Sequence, residues 1–230
     1  MATCKLCNKR GLFFQFDNLG LCKKCSYLVN FETDQVIRMV KKSRSIIGKS
    51  KKIPIIISIT DLILELLDEI LLFENQGIYP MKPNIDHFKS LTIRLMNSRL
   101  IELLLEKFED AKTKSDKQVT ISAKVNTLNS LLQEIQEIRK LLDKRDKKYK
   151  EVWKLTNTCS NDAAILIENA YFNDHLLKAE LFEDKDNIKK ALYHYLKAKK
   201  IIENNLRLVA AIEDKSIIEE INNKIKKYQQ

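Results

Sequence analysis

Residues 55 to 73 read Ile-Ile-Ile-Ser-Ile-Thr-Asp-Leu-Ile-Leu-Glu-Leu-Leu-Asp-Glu-Ile-Leu-Leu-Phe, the most apolar window of the chain. On hydropathy alone this is a membrane span. Asp61, Glu65, Asp68 and Glu69 sit inside it, however, and the first three fall on one helical stripe. Each carboxylate at the bilayer centre would cost about 2.5 to 3.5 kcal/mol. The window therefore reads as a buried amphipathic helix capped by Thr60 or Asp61. Asn75 to Pro83 breaks it. A second helix, starting near Asn84 or Asp86, carries Phe88, Leu91, Leu95, Leu103, Leu104 and Phe108 inward, and the two predict an antiparallel hairpin.

Working outward from this window, helix dominates. All 4 Gly lie at or before Gly77 and all 3 Pro at or before Pro83, so residues 84 to 230 contain neither. Sandwiches, barrels and doubly wound folds use those residues at their connections. The expected class is mostly α, and at 230 residues with 44% hydrophobic side chains the chain is long enough for a sizeable core. From about Ser115 to Thr156 one helix of roughly forty residues is expected, with Val125, Leu128, Leu132, Ile135, Leu142 and Tyr149 forming a coiled-coil-like seam. Arg139 interrupts that seam, and Asp143 to Lys150 reads as a solvated helical face projecting past its neighbours. Further helices are expected over Asp162 to Phe182, Ile188 to Asn204, and Asp214 or Ser216 to Tyr228.

Four of the 5 Cys fall in the first 25 residues, as Cys4-x-x-Cys7 and Cys22-x-x-Cys25. Two such pairs supply the closed tetrahedral sulfur shell of a structural metal site, and ligand softness favours Zn²⁺ over calcium or magnesium. Four thiolates also suit an iron–sulfur cluster. No signal peptide precedes Met1, which points to a cytoplasmic chain and away from two disulfides. One structural zinc per chain is the expectation. Leu12 to Phe16 predicts a short aromatic strand, with Leu12, Phe14 and Phe16 as a small core. Asn8 to Gly11 and Asp17 to Gly20 read as turns, and a helix beginning at Ser26 points its N–H groups at the thiolates. Its inward positions are expected at Leu28, Phe31, Val36, Ile37 and Val40. Lone Cys159 reads as a buried thiol.

The run Cys-x-x-Cys-x-Lys-Arg-Gly-x-x-Phe, with its later Gly-x-Cys-x-x-Cys, resembles the four-cysteine zinc-ribbon modules that open many uncharacterised bacterial proteins. The resemblance covers about the first 30 residues and implies a small β-hairpin and a metal, but no particular activity. Near the other end, Ala179, Phe182, Ala191, Tyr195 and Ala198 occupy the small and aromatic positions of a single tetratricopeptide repeat. His175 and Lys178 stand where such a repeat has Trp and Leu, and its terminal Pro is absent. The resemblance implies a close-packed helical hairpin. The expected organisation is a metal-binding module over 1–30, a basic helix and linker over 31–54, a helical hairpin with the long helix over 55–157, and C-terminal hairpins over 158–230.

Charge is polarised along the chain. Residues 1 to 60 hold 12 Lys+Arg against 3 Asp+Glu, whereas the remainder is nearly balanced. Arg38, Lys41, Lys42, Arg44, Lys49, Lys51 and Lys52 place seven cations within 15 residues with no acid among them. That is a candidate phosphate footprint. Ser43 to Ser50 mimics the end of a phosphate-binding loop but lacks its leading Gly and follows a helix rather than a strand. The three His, at 87, 175 and 194, form no His-x-x-x-His pair, and no nucleophile elbow or Gly-rich loop is present. The expected function is a non-enzymatic zinc-binding scaffold or adaptor with a protein partner or a second copy of itself. Nucleic-acid binding by the basic head is the alternative. Membrane-surface attachment by the same patch lacks an apolar face or lipidation motif.

Overall fold

The computed structural model describes residues 3–11, 15–205, 208–209, 212 and 215–229. Among these residues there are seven α-helices and no strand. They are α1 (Lys23–Lys49), α2 (Ile53–Asn75), α3 (Ile85–Asp116), α4 (Ile121–Leu141), α5 (Lys150–Glu183), α6 (Ile188–Asn204) and α7 (Ser216–Gln229), with a single 3₁₀ turn at Lys147–Tyr149. No described helix is long and apolar enough to cross a membrane. Two compact units divide the chain, one of residues 1–103 with 144–152 and the other of residues 104–143 with 153–230.

In the first unit the four-cysteine head leads into α1, and the rotation of α1 is fixed by chemistry rather than by its most apolar residues. Cys25 must face the other thiols. Steps of four, four, three, four and seven from it reach Val29, Thr33, Val36, Val40 and Ile47, which are all buried. Leu28 and Phe31, expected to point inward, are instead 46% and 49% exposed. Only Ser50 to Lys52 separates α1 from α2. α2 begins earlier than its carboxylates suggested, because Pro54 is well suited to a first helical turn. Thr60 is an interior residue whose hydroxyl donates to Ile56 O at 2.8 Å, so it does not cap the helix. Ile53, Ile56, Ile57, Ile63, Leu67 and Ile70 form the buried stripe of α2.

Gly77, in the left-handed region at φ 72°, turns the chain out of α2. Asn84 then accepts the His87 N–H at 3.2 Å and caps α3. The Lys89–Asp68 ion pair and the Ile85 N–H on Glu74 set α3 antiparallel to α2. Arg44 reaches Phe88 O and Thr92, and Arg99 reaches Ser50 O, so α3 runs parallel to α1. The inward face of α3 here is Ile85, Thr92, Met96 and Leu100, with Phe88, Leu91 and Leu95 half-buried.

The expected forty-residue helix is not formed. It is replaced by α4, whose N-terminus Thr120 caps, and by α5, which starts at Lys150. The reason lies in the charged tract between them. The Asp146 side chain accepts the Lys148 N–H, a local bond that competes with helix. Lys148 then pairs with Asp61 of α2 at 2.8 Å while Tyr149 is buried. Residues 144–150 are thus part of the first unit instead of projecting as a solvated helix.

In the second unit Val125, Leu128, Leu131, Ile135 and Ile138 line the buried face of α4. Leu131 and Ile135 pack with Cys159 and Ala163 of α5, while Arg139 bonds Thr156 and Asn157, which makes α4 and α5 antiparallel. Farther along, Phe172 and Ala179 of α5 meet Ala191, Tyr195, Ala198 and Ile202 of α6 and Ile221 and Ile225 of α7. Alanine at the contacts lets the helix axes approach closely. Glu183 accepts from Tyr195 at 2.8 Å and from Lys224 at 2.8 Å, tying all three helices at one point.

Candidate metal centre and its basic flank

The head is built from two turns, the first carrying Cys4 and Cys7 and the second leading into Cys22 and the start of α1, which carries Cys25. In the first, Cys4 N–H donates to Lys9 O at 3.0 Å and Asn8 N–H to Cys4 O at 2.9 Å. Asn8 takes the left-handed conformation at φ 56°, which Asn tolerates well. In the second, Asp17 Oδ1 accepts from Leu19 N at 2.9 Å and Leu21 N at 2.8 Å. Gly20 adopts φ 78°, and a side chain there would also crowd Lys5.

The expected β-hairpin is absent from the described residues, which hold only isolated bridges at Thr3 with Arg10 and Phe16 with Cys22. After the Asp17 turn just Leu21 and Cys22 precede α1, too short a run to build a ladder. Leu12, Phe13 and Phe14 of the expected aromatic strand lie outside the described residues. Phe16 does pack against the head's core.

Cys22 is the residue before α1 and Cys25 lies in its first turn, so the helix begins three residues earlier than expected and straddles the second pair. The positive end of the helix dipole therefore lies at the sulfurs. All four Sγ atoms lie within 4.8 Å of one another, and Cys7 Sγ is 3.8 Å from Cys22 Sγ. A disulfide needs about 2.05 Å. A tetrahedral shell with metal–sulfur bonds of about 2.3 Å has sulfur–sulfur edges of about 3.8 Å. The four cysteines can therefore hold one metal ion.

Electrostatics agree with that donor set. Burial pushes the Cys4 thiol up, but N–H groups of Cys7, Cys22 and Leu6 outweigh it and bring it down to about 6. Cys25 is pushed up to about 12, by burial first and then by its contacts with the other three sulfurs and the Cys4 charge. Of these two thiols Cys4 is the readier to ionise and Cys25 the more reluctant, and a bound dication favours the thiolate form of both.

The sequence reading missed what covers the centre. Ile78, fully buried, and Phe73 pack against Cys4, Leu21, Cys22, Cys25 and Val29. Lys5 Nζ donates to Gly77 O at 3.0 Å. An isolated Ile following Gly77 was the available signal.

The structure spreads the basic residues in two ways. Arg38, Lys41, Lys42 and Lys49 on α1, and Lys51 and Lys52 after it, are exposed. Arg44 is half-buried, lies over the Phe88 ring and bonds Thr92 Oγ1 and Phe88 O, so it braces the bundle. Residues 43–49 are helical, and no phosphate loop forms there. Tyr27 and Phe31, 73% and 49% exposed, stack at 6.1 Å on the outward side of α1. Phe31, Arg38, Lys42 and Lys49 follow from Tyr27 at steps of four, seven, four and seven, which places all five on one face.

Cys159 is buried in the second unit, where burial raises its thiol. His87 is exposed, whereas His175 and His194 contact each other. The chain matches no protein-family model, no curated protein and no solved structure.

Proposed function

We propose that this protein is a non-enzymatic helical scaffold, stapled at its head by one Zn²⁺ on Cys4, Cys7, Cys22 and Cys25, which binds nucleic acid through the outward face of α1. Four thiolates fill a tetrahedral shell and leave no open position, the pattern of a structural rather than a catalytic zinc. The soft thiolate donors, brought by a knuckle-like turn and by the start of α1, support zinc over harder cations. The observation that carries the binding reading is the face of Tyr27, Phe31, Arg38, Lys42 and Lys49, with Lys41 beside it, in the part of the chain that concentrates the charge excess. Residues 1 to 60 carry +9, and four thiolates on one dication leave +7. Titration of the zinc-loaded chain with labelled DNA at low salt tests it. Binding that is lost when Arg38, Lys41, Lys42 and Lys49 become Gln supports the reading, and no binding at low salt refutes it.

A second reading, a protein adaptor, is supported by the α5–α6 hairpin. Its tetratricopeptide-like pattern places Ala179, Ala191 and Ala198 at buried contacts, and Leu177, Tyr193 and Leu196 stand exposed at 67%, 54% and 42%. Light scattering tests its self-association form: a dimer that dissociates on Leu177→Asp supports it, and a monomer at every concentration counts against it.

A further inference from the structure

We infer that the outward face of α1 is a track for single-stranded nucleic acid in preference to duplex, an inference that rests on the nucleic-acid reading above. The ring end of the face distinguishes the two. A duplex offers phosphates to a convex helix but keeps the faces of its bases stacked inside, so it would engage the cations and leave Tyr27 and Phe31 bare. A single strand presents both. Its bases have free π-faces for exposed aromatic rings, and its phosphates follow the same line to the cations.

Tyr27 and Phe31 lie nearly parallel, with 14° between their planes, and form one stacking platform. Arg38, Lys42 and Lys49 continue from it along the helix, and among the described residues none of the three forms an ion pair. From Tyr27 to Lys49 the rise is about 33 Å at 1.5 Å per residue. That length suits a strand of a few nucleotides, within the roughly 4 to 16 that single-strand sites cover. Leu28, Met39 and Ile46, all exposed, flank the line with apolar surface that bases can cover. Asp34 is exposed between the ring end and the cation end, and half-buried Glu32 is close by. Their charge leaves the rings, rather than phosphate attraction, to hold the strand at that point.

The test is fluorescence anisotropy on the full zinc-loaded chain, with a labelled oligothymidylate and a duplex of matched length. It is run at about 50 and 200 mM salt, with polyglutamate as an acidic competitor. The expected result is tighter binding of the single strand. Three phosphate contacts on a single strand predict a loss of about 20-fold across that salt range. The Tyr27→Ala/Phe31→Ala pair should weaken the strand at least about fivefold and leave duplex binding unchanged, while Tyr27→Phe keeps it. Should the alanine pair lose helicity by circular dichroism, Tyr27→Leu/Phe31→Leu replaces it and carries the same expectation. Equal binding of strand and duplex, no effect of removing the rings, or displacement by polyglutamate as effective as by unlabelled strand overturns the inference while leaving electrostatic nucleic-acid binding in place. No binding to either probe at low salt overturns both.

Discussion

His175 Nδ1 lies 3.0 Å from His194 Nδ1, across the contact between α5 and α6. One ring must donate and the other accept, so at most one of the two facing nitrogens carries the proton. Phe182 stacks on His194 at 5.5 Å and fixes its ring. Burial lowers both histidines below 6.5, and for His175 the facing His194 adds to this. Lys178 disfavours charge on both and Lys197 on His175, while Asp174 opposes them.

A pH dependence follows, with a definite sign. The folded pair prefers to be neutral, so its contribution is complete above the unfolded histidine value of about 6.5 and is lost as pH falls below it, where the unfolded chain takes up protons first. An NMR titration of the imidazole C–H protons should give both residues midpoints below 6.5. The protection of α6 amides against exchange, taken relative to the intrinsic rate at each pH, should fall between about pH 6.5 and 5, and His175→Gln should blunt that change. Midpoints at or above 6.5 would refute the account of this contact.

Glu183 joins three helices through one carboxylate. Burial raises its pKa, but the Lys224 ammonium and the Tyr195 hydroxyl outweigh this and hold it below the usual range. Glu183→Ala would leave the hydroxyl of buried Tyr195 without its partner. We expect a loss of about 1 to 3 kcal/mol in urea unfolding of the second unit. Glu183→Gln should recover part of it by accepting from Tyr195.

Thr33 faces the core of the first unit, 3% exposed, and among the described residues its hydroxyl has no hydrogen-bond partner. Thr33→Val keeps the shape and removes the desolvated hydroxyl. An unsatisfied buried group costs about 1 to 3 kcal/mol, so the substitution should stabilise the unit by about 1 kcal/mol. A raised urea midpoint with an unchanged slope is the expected reading, and a lowered midpoint would contradict it.

Much of this architecture was legible in advance. α6 follows from apolar periodicity bounded by Asn187, α2 follows from it in its apolar body but not in its start, and the four-thiol cluster follows from the spacing of Cys4, Cys7, Cys22 and Cys25. The failures share a cause: a contact distant in sequence overrode a local pattern. Periodicity carried the expected long helix through residue 146, but the ion pair from Lys148 to Asp61 bends the chain there. Hydropathy placed Leu28 and Phe31 inside, yet the demand that Cys25 face the other three thiols turned α1 and exposed them. Arg44 read as one cation among seven because its partners, Phe88 and Thr92, lie on another helix.

Ile78 packs in one buried cluster with Cys4, Cys22 and Cys25, so its loss should reach the proposed zinc. Truncating a buried Ile to Ala costs about 2 to 5 kcal/mol. Ile78→Ala should surrender its metal to a chelator faster than the wild-type chain, with α4 to α7 intact by amide exchange. Unchanged release would mean that the Gly77 turn does not support the site.

The central claim is the zinc staple. X-ray absorption at the zinc edge of the purified chain, together with elemental analysis, tests it most directly. The account predicts about one zinc per chain with four sulfur scatterers at about 2.3 Å, and loss of that signal in Cys22→Ser/Cys25→Ser. An iron signal, nitrogen or oxygen scatterers in place of sulfur, or a chain purified without metal that refuses zinc would contradict it.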